Sequence, residues 1–208
     1  MLNDYNTYFE SDIFYEWEKA PGKDVIINAL RSFKENDEKL RLLLDVGCGT
    51  GYFLKRIYEE VSNEFMLFGI DISNIAIQRG KNLYPFLNLT TGDAHCTNYP
   101  NKKFDIIVSY GSYEHFNSAE IALKEVGRII KRGGIILTMQ PTLGVYRTDR
   151  DDEGWYEETD HAQQFQWNLK RETWEKIFTS AGFNLFPVVF SKQFGAIKPG
   201  NFYFGWKL

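Results

Sequence analysis

Cysteine, histidine and methionine are scarce in this chain of 208 residues, with two, three and three of each. Two cysteines without partner histidines give no zinc spacing, and in a reducing compartment they form no disulfide framework. Cys48 and Cys96 therefore read as small buried fillers, and no metal is expected. Long apolar runs are missing too: no stretch approaches the roughly 18 residues that span a bilayer. The opening MLNDYNTYFESD is too acidic and polar for a secretory signal, so the expectation is a cytoplasmic protein with no membrane span. A basic excess is also lacking, the formal net charge being −4. Proteins that grip phosphates carry a basic stripe. Here only Lys102-Lys103 and the group Arg128, Lys131 and Arg132 cluster, the second at a helix end where cations offset the helix dipole. Both groups read as solvated structural features, and nucleic acid is disfavoured as a partner.

What is present is ordinary for a folded globular chain, 43% hydrophobic and 25% charged, of a length that suits one domain. The most informative stretch is LLLDVGCGTG, ending at Gly51 and running into YFLKRIYEE. An apolar run, an acid and three glycines at every second position describe a strand that turns through bare backbone, where close approach of a ligand is allowed. The spacing is neither the dinucleotide fingerprint G-x-G-x-x-G nor the phosphate loop G-x-x-x-x-G-K-[ST]. From Leu42 onward strands alternate with helices. Strands are expected near 42–46, 66–71, 86–91, 104–109 and 134–139, and helices begin near 51, 73 and 118. This alternation predicts a parallel sheet covered on both faces.

Asp45-x-Gly47-x-Gly49-x-Gly51 resembles the first motif of the class I S-adenosylmethionine-dependent methyltransferases, in which the loop wraps the amino acid end of the cofactor. Three later runs extend the resemblance. MLFGIDIS ends in Asp71, whose carboxylate can accept from both ribose hydroxyls; capping of the next helix by Asp71 or Ser73 is the competing reading. FLNLTTGDAH closes in Gly92-Asp93-Ala94, which the resemblance puts at the adenine. FDIIVSYGSYEHF leads from the fourth strand towards the transferring methyl group. The block from Glu125 to Gly134, followed by IILTMQP, looks like the family's fifth helix, its glycine stop and its fifth strand. Together these cover roughly residues 40–190. They imply a Rossmann-like α/β fold: a seven-stranded, mostly parallel sheet with an antiparallel C-terminal hairpin and helices on both faces. The implied cofactor is S-adenosylmethionine, leaving S-adenosylhomocysteine as product. The implied contacts are Asp45, Gly47, Cys48, Gly49, Gly51, Tyr52, Asp71, Ile72, Gly92, Asp93, Ala94, Ser109 and Tyr110.

Methyl displacement needs acceptor and methyl aligned at about 3 to 3.5 Å and few reactive side chains. Aromatic faces can stabilise a sulfonium, and Tyr52, Tyr110 and Tyr113 fall beside the first and fourth motifs. If the acceptor must lose a proton, histidine is the natural base. His115 is placed best, with Glu114 as orienting partner; His161, in the long polar connection after Pro141, stands near the pocket mouth. That connection, too long for a routine turn, is a candidate substrate loop. It precedes the helix LKRETWEKIFTSAGF, stopped by Gly182. The fourth strand lacks the [DN]-P-P-[YF] ending used to hold an amino group of a base or glutamine, so a small organic acceptor, methylated at oxygen or nitrogen, is the preferred substrate. A protein or RNA methyltransferase and a non-catalytic regulatory module that binds the cofactor are the alternatives. Residues 1–40 read as a helical lid segment with apolar recurrence at Val25, Ile26, Ala29, Leu30 and Phe33, and 41–208 as the methyltransferase domain. Oligomeric state is left open.

Overall fold

The structure, a computed structural model, describes residues 22–36, 42–142, 153–157, 165–187, 189–191 and 200–208. Helix α1 (Lys23–Asn36) leads into β1 (Leu42–Val46), α2 (Tyr52–Glu60), β2 (Met66–Asp71), α3 (Asn74–Leu83), β3 (Asn88–Thr91) and β4 (Phe104–Tyr110). After a 3-10 turn at Tyr113–His115 come α4 (Ala119–Ile129) and β5 (Ile130–Pro141). The chain continues through β6 (Gly154–Glu157), β7 (Phe165–Asn168), α5 (Arg171–Ser180), β8 (Phe183–Leu185), β9 (Val189–Ser191) and β10 (Gly200–Lys207).

The main sheet has the order β3-β2-β1-β4-β5-β10-β8, with β9 also paired to β10. Strands β1 to β5 run parallel to one another, and β10 runs antiparallel to β5, β8 and β9. The seven-position sheet and its antiparallel C-terminal hairpin are as expected. The outermost position is shared, because β8 pairs with Gly205 to Lys207 and β9 with Gly200 to Phe202. Pro187 lies between them and cannot donate to the ladder, which accounts for the break.

Side chains alternate across each central strand. Leu43, Ile106 and Val108 pack with Ile26, Ile27 and Leu30 of α1, Phe53, Leu54 and Ile57 of α2, and Ile77 of α3. Leu44, Val46 and Ile107 face the other way, towards Leu123 and Val126 of α4 and Trp174 and Phe178 of α5. The expected apolar recurrence of α1 therefore docks it on the sheet. The rest of the expected lid segment, residues 1–21 and 37–40, lies outside the described residues.

Three sequence expectations need correction. Helix α4 ends at Ile129, before the glycines. Gly133, at φ 73°, lies in a bulge: β5 pairs Ile130 with Phe104 and resumes at Ile135 opposite Ile106, so the glycines bend the strand and do not stop the helix. Strand β3 starts late because the Leu87 amide closes a turn on the Tyr84 carbonyl. Within the long connection, β6 and β7 form a separate antiparallel ribbon with Trp155 opposite Trp167.

Candidate functional site

The chain reverses its direction of sheet growth at β1. Strands β2 and β3 add on one side and β4 and β5 on the other, so a crevice opens beyond the carboxyl ends of β1 and β4. The glycine loop lies at the first end and the turn from Gly111 to Phe116 at the second. Gly47, Gly49 and Gly51 all take positive φ, at 74°, 54° and 84°. The loop is tied to β2 by Gly47 and Cys48 amides donating to the Ile70 carbonyl at 2.9 and 3.1 Å. At Gly47 the requirement is steric as well: a Cβ would stand 2.4 Å from the Ser112 Oγ. That hydroxyl donates to the Gly47 carbonyl at 3.3 Å. From the other side α3 presses on the loop, since a Cβ at Gly80 would lie 2.3 Å from the Thr50 carbonyl oxygen.

Asp71, at the end of β2, takes the Gly49 amide on Oδ2 and the Ser73 amide on Oδ1, both at 2.9 Å. The capping question is thereby resolved: the Ser73 hydroxyl caps α3 by accepting from the Ala76 amide, while Asp71 organises the loop. Ile72, next to it, is 40% exposed, an apolar side chain left open at the strand ends. The Gly92 amide donates to the Asp71 carbonyl at 2.9 Å and brings β3's end alongside. Beyond it, Asp93 is half-exposed and Ala94 packs partly on the second core. Asp93 Oδ1 accepts from the His95 amide at 2.8 Å and from the His95 Nδ1 at 2.6 Å. Partial burial opposes the Asp93 charge, but these donors outweigh it and hold the carboxyl below its usual range.

Asp45 is almost wholly buried at the end of β1. Burial pushes its carboxyl from 3.8 up to about 7; Lys23 pulls it down and Asp71 pushes it further up. Lys23 opens α1 and is itself buried, its Nζ 5.2 Å from the Tyr110 ring centre and 5.9 Å from that of Phe53. Gly22 lets this helix start reach Tyr110, whose hydroxyl would collide with any Cβ there. Lys23 and Ser112 went unnoticed in the sequence, because a lysine opening an amphipathic helix and a serine in a turn carry no local signal. Gly80 did carry one, as a glycine inside a helical pattern.

The remaining expected residues divide. Cys48 is buried over Gly69, where a Cβ would meet its Sγ at 2.6 Å. Cys96 is exposed and is not the buried filler the sequence reading made it. Tyr52 is half-buried at the start of α2. Ser109 is sealed in the sheet, its hydroxyl donated to the Val46 carbonyl at 2.9 Å. Tyr110 is half-buried, and burial followed by the Glu114 charge raises its phenol. Tyr113 is fully buried among Phe116 and Phe178 and belongs to the core, not to a sulfonium contact. Glu114 is buried, with Oε1 3.7 Å from His115 Nε2. His161 lies outside the described residues. Trp167 Nε1 donates to the Phe116 carbonyl at 2.9 Å, which sets the β6–β7 ribbon beside this turn.

The basic residues stand at the opposite, amino-terminal end of β4. Lys102, Arg128, Arg132 and Lys207 line an open cavity of about 450 Å³ there, and Lys103 is not simply solvated: its Nζ lies 4.0 Å from the Phe68 ring centre and 4.6 Å from that of Tyr99. No group of three or more His, Cys, Asp or Glu among the described residues could hold a metal. No described helix is long and apolar enough to cross a membrane.

A family profile described as a methyltransferase domain matches residues 17–188. Among curated relatives, the demethylmenaquinone methyltransferase of Staphylococcus aureus (strain MRSA252) is 31% identical over 110 residues, 50% of this chain and 46% of that protein. The chloroplastic 2-methyl-6-phytyl-1,4-hydroquinone methyltransferase 1 of Oryza sativa subsp. japonica is 31% identical over 101 residues, 48% of this chain and 30% of that protein. The matched stretches thus span less than half the length of these relatives. Among solved structures, an S-adenosylmethionine-dependent methyltransferase from Methanosarcina mazei superposes with a TM-score of 0.66 at 15% identity, over 82% of this chain and 93% of that one.

Proposed function

Since this chain belongs to the class I S-adenosylmethionine-dependent methyltransferases, we propose that it methylates an oxygen or nitrogen atom of a small organic acceptor. The cofactor is S-adenosylmethionine, which supplies a methyl group activated by a positively charged sulfur. The single observation that carries the assignment of the site is the left-handed glycine loop, clamped between Asp71 and Ser112 at the crevice between β1 and β4. The residues fit the group. Asp45 supplies a buried acid for a cation, Asp71 an acceptor for hydroxyls, Ile72 an exposed apolar face and Asp93 an open carboxylate for a base.

In this reading the chain's own chemistry is alignment and one proton transfer. His115 takes the acceptor's proton, and the buried Glu114 carboxylate orients the imidazole and balances the charge it gains. A small acceptor is favoured because the described cationic cluster lies at the far end of β4 from the glycine loop. A second reading is favoured by the two relatives whose names specify a hydroquinone and demethylmenaquinone: a carbon of an electron-rich phenolic ring, which also loses a proton after methyl transfer.

The test is a screen with radiolabelled S-adenosylmethionine across alcohols, amines and hydroquinones, followed by His115→Ala on the acceptor found. Labelled product with the parent and at least about a tenfold loss of kcat in the variant, with cofactor affinity kept, supports the reading. Unchanged turnover in the variant removes His115 as base, and a chain that binds the cofactor yet labels only protein or RNA overturns the small acceptor.

A further inference from the structure

Asp93 and the start of α4 are joined by one imidazole. The Ser118 amide, which can only donate, points at His95 Nε2 at 3.2 Å. That nitrogen must therefore be the unprotonated one, and the ring's single proton sits on Nδ1, 2.6 Å from Asp93 Oδ1. Ser118 is itself fixed, since it is the N-cap of α4 and its hydroxyl accepts from the Ile121 amide at 3.2 Å. The ring is steadied by Phe116, at 5.7 Å between centres, and Phe116 is anchored through its carbonyl to Trp167.

Both His95 donors, the backbone amide and the ring, fall on the same carboxylate oxygen. Oδ2 accepts nothing among the described residues, and the side chain is 48% exposed. A free aspartate at a strand end would sample several rotamers and lose entropy on meeting a ligand; this one is held in place with one oxygen committed and the other presented.

We propose that His95 is a positioning residue for base recognition: it fixes the Asp93 carboxylate so that Oδ2 faces the exocyclic amino group of the cofactor's adenine. The proposal rests on the reading of Asp93 as the adenine residue. It assigns to His95 a part in cofactor selectivity and none in the methyl transfer.

The experiment is a ligand-by-mutant cycle by calorimetry, using S-adenosylhomocysteine and its deaminated analogue S-inosylhomocysteine, which carries a carbonyl where adenine has the amino group. The parent is expected to favour the adenine ligand by about tenfold or more, because a carbonyl facing a fixed carboxylate leaves both unpaired. In His95→Ala the adenine ligand weakens by about tenfold while the inosine ligand changes by less than about twofold, so the preference collapses. His95→Asn, which keeps a side-chain donor, recovers part of it and guards against a loss that is only misfolding. Equal weakening of both ligands in both variants, or an unchanged preference, overturns the positioning role while leaving the cofactor site intact. A parent that binds neither ligand overturns the cofactor site itself, and with it this role.

Discussion

The Gly49 amide donates to the Asp71 carboxylate at 2.9 Å, across two strand ends of the parallel sheet. One side chain thus sets the shape of the loop and remains the acid at the crevice. Asp71→Ala removes the acceptor of two backbone amides, Gly49 and Ser73. Charge-assisted bonds of this kind are worth about 1.5–3 kcal/mol. The expected result is a loss of cofactor affinity of tenfold or more, read by calorimetry, with Asp71→Asn intermediate because it keeps one oxygen acceptor. Parent-like affinity in both would detach Asp71 from the site.

Gly47→Ala combines a left-handed φ of 74° with a Cβ placed 2.4 Å from the Ser112 Oγ and 2.6 Å from its Cβ. The backbone term alone costs about 1–2 kcal/mol, so the melting temperature should fall by about 5 °C or more. Adding Ser112→Gly removes the collision but not the backbone strain. The double variant should therefore recover part of the loss, and this non-additivity is the readout. Additive melting shifts would mean that the two residues do not meet.

Asp45 gives the fold a pH dependence of defined sign. Its carboxyl is raised from 3.8 to about 7 by burial first, with Lys23 opposing and Asp71 adding to the rise. Between about pH 4 and 7 the folded chain holds a proton that the unfolded chain has lost, so this group's contribution to stability declines as pH rises through that window and then levels off. Asp45→Asn removes the decline. Its melting temperature relative to the parent should increase from pH 4 to 7, and a constant difference would contradict the assignment. The same ionisation predicts that affinity for a positively charged cofactor rises with pH through about 7 in the parent and stays flat in the variant.

Much of this was legible in the chain. β1 and β2 end where the sequence places them because each is a continuous apolar run closed by an acid or glycine turn, at Asp45–Gly47 and at Asp71. The count of seven strands came with the resemblance rather than with periodicity, and the strand order only with the structure. The parts that were not legible depend on tertiary contact. Tyr113 and Tyr110 stand three residues apart in one motif, yet one fills the core and the other borders the crevice. The bulge at Gly133 and the break at Pro187 depend on which residue of a neighbouring strand lies opposite. Lys23 becomes notable only when α1 lays it beside Asp45. The β6–β7 ribbon is hidden because four-residue strands in polar sequence are too short for a pattern to emerge.

The most direct measurement is a calorimetric titration of the purified protein with S-adenosylmethionine and S-adenosylhomocysteine, with NADH as control. The account predicts one-to-one, micromolar binding of the first two, lost in Gly47→Ala and weakened in Asp71→Ala, and no heat with NADH. Absence of binding to both, or binding that ignores these two substitutions, would contradict the assignment of the glycine loop as the cofactor site.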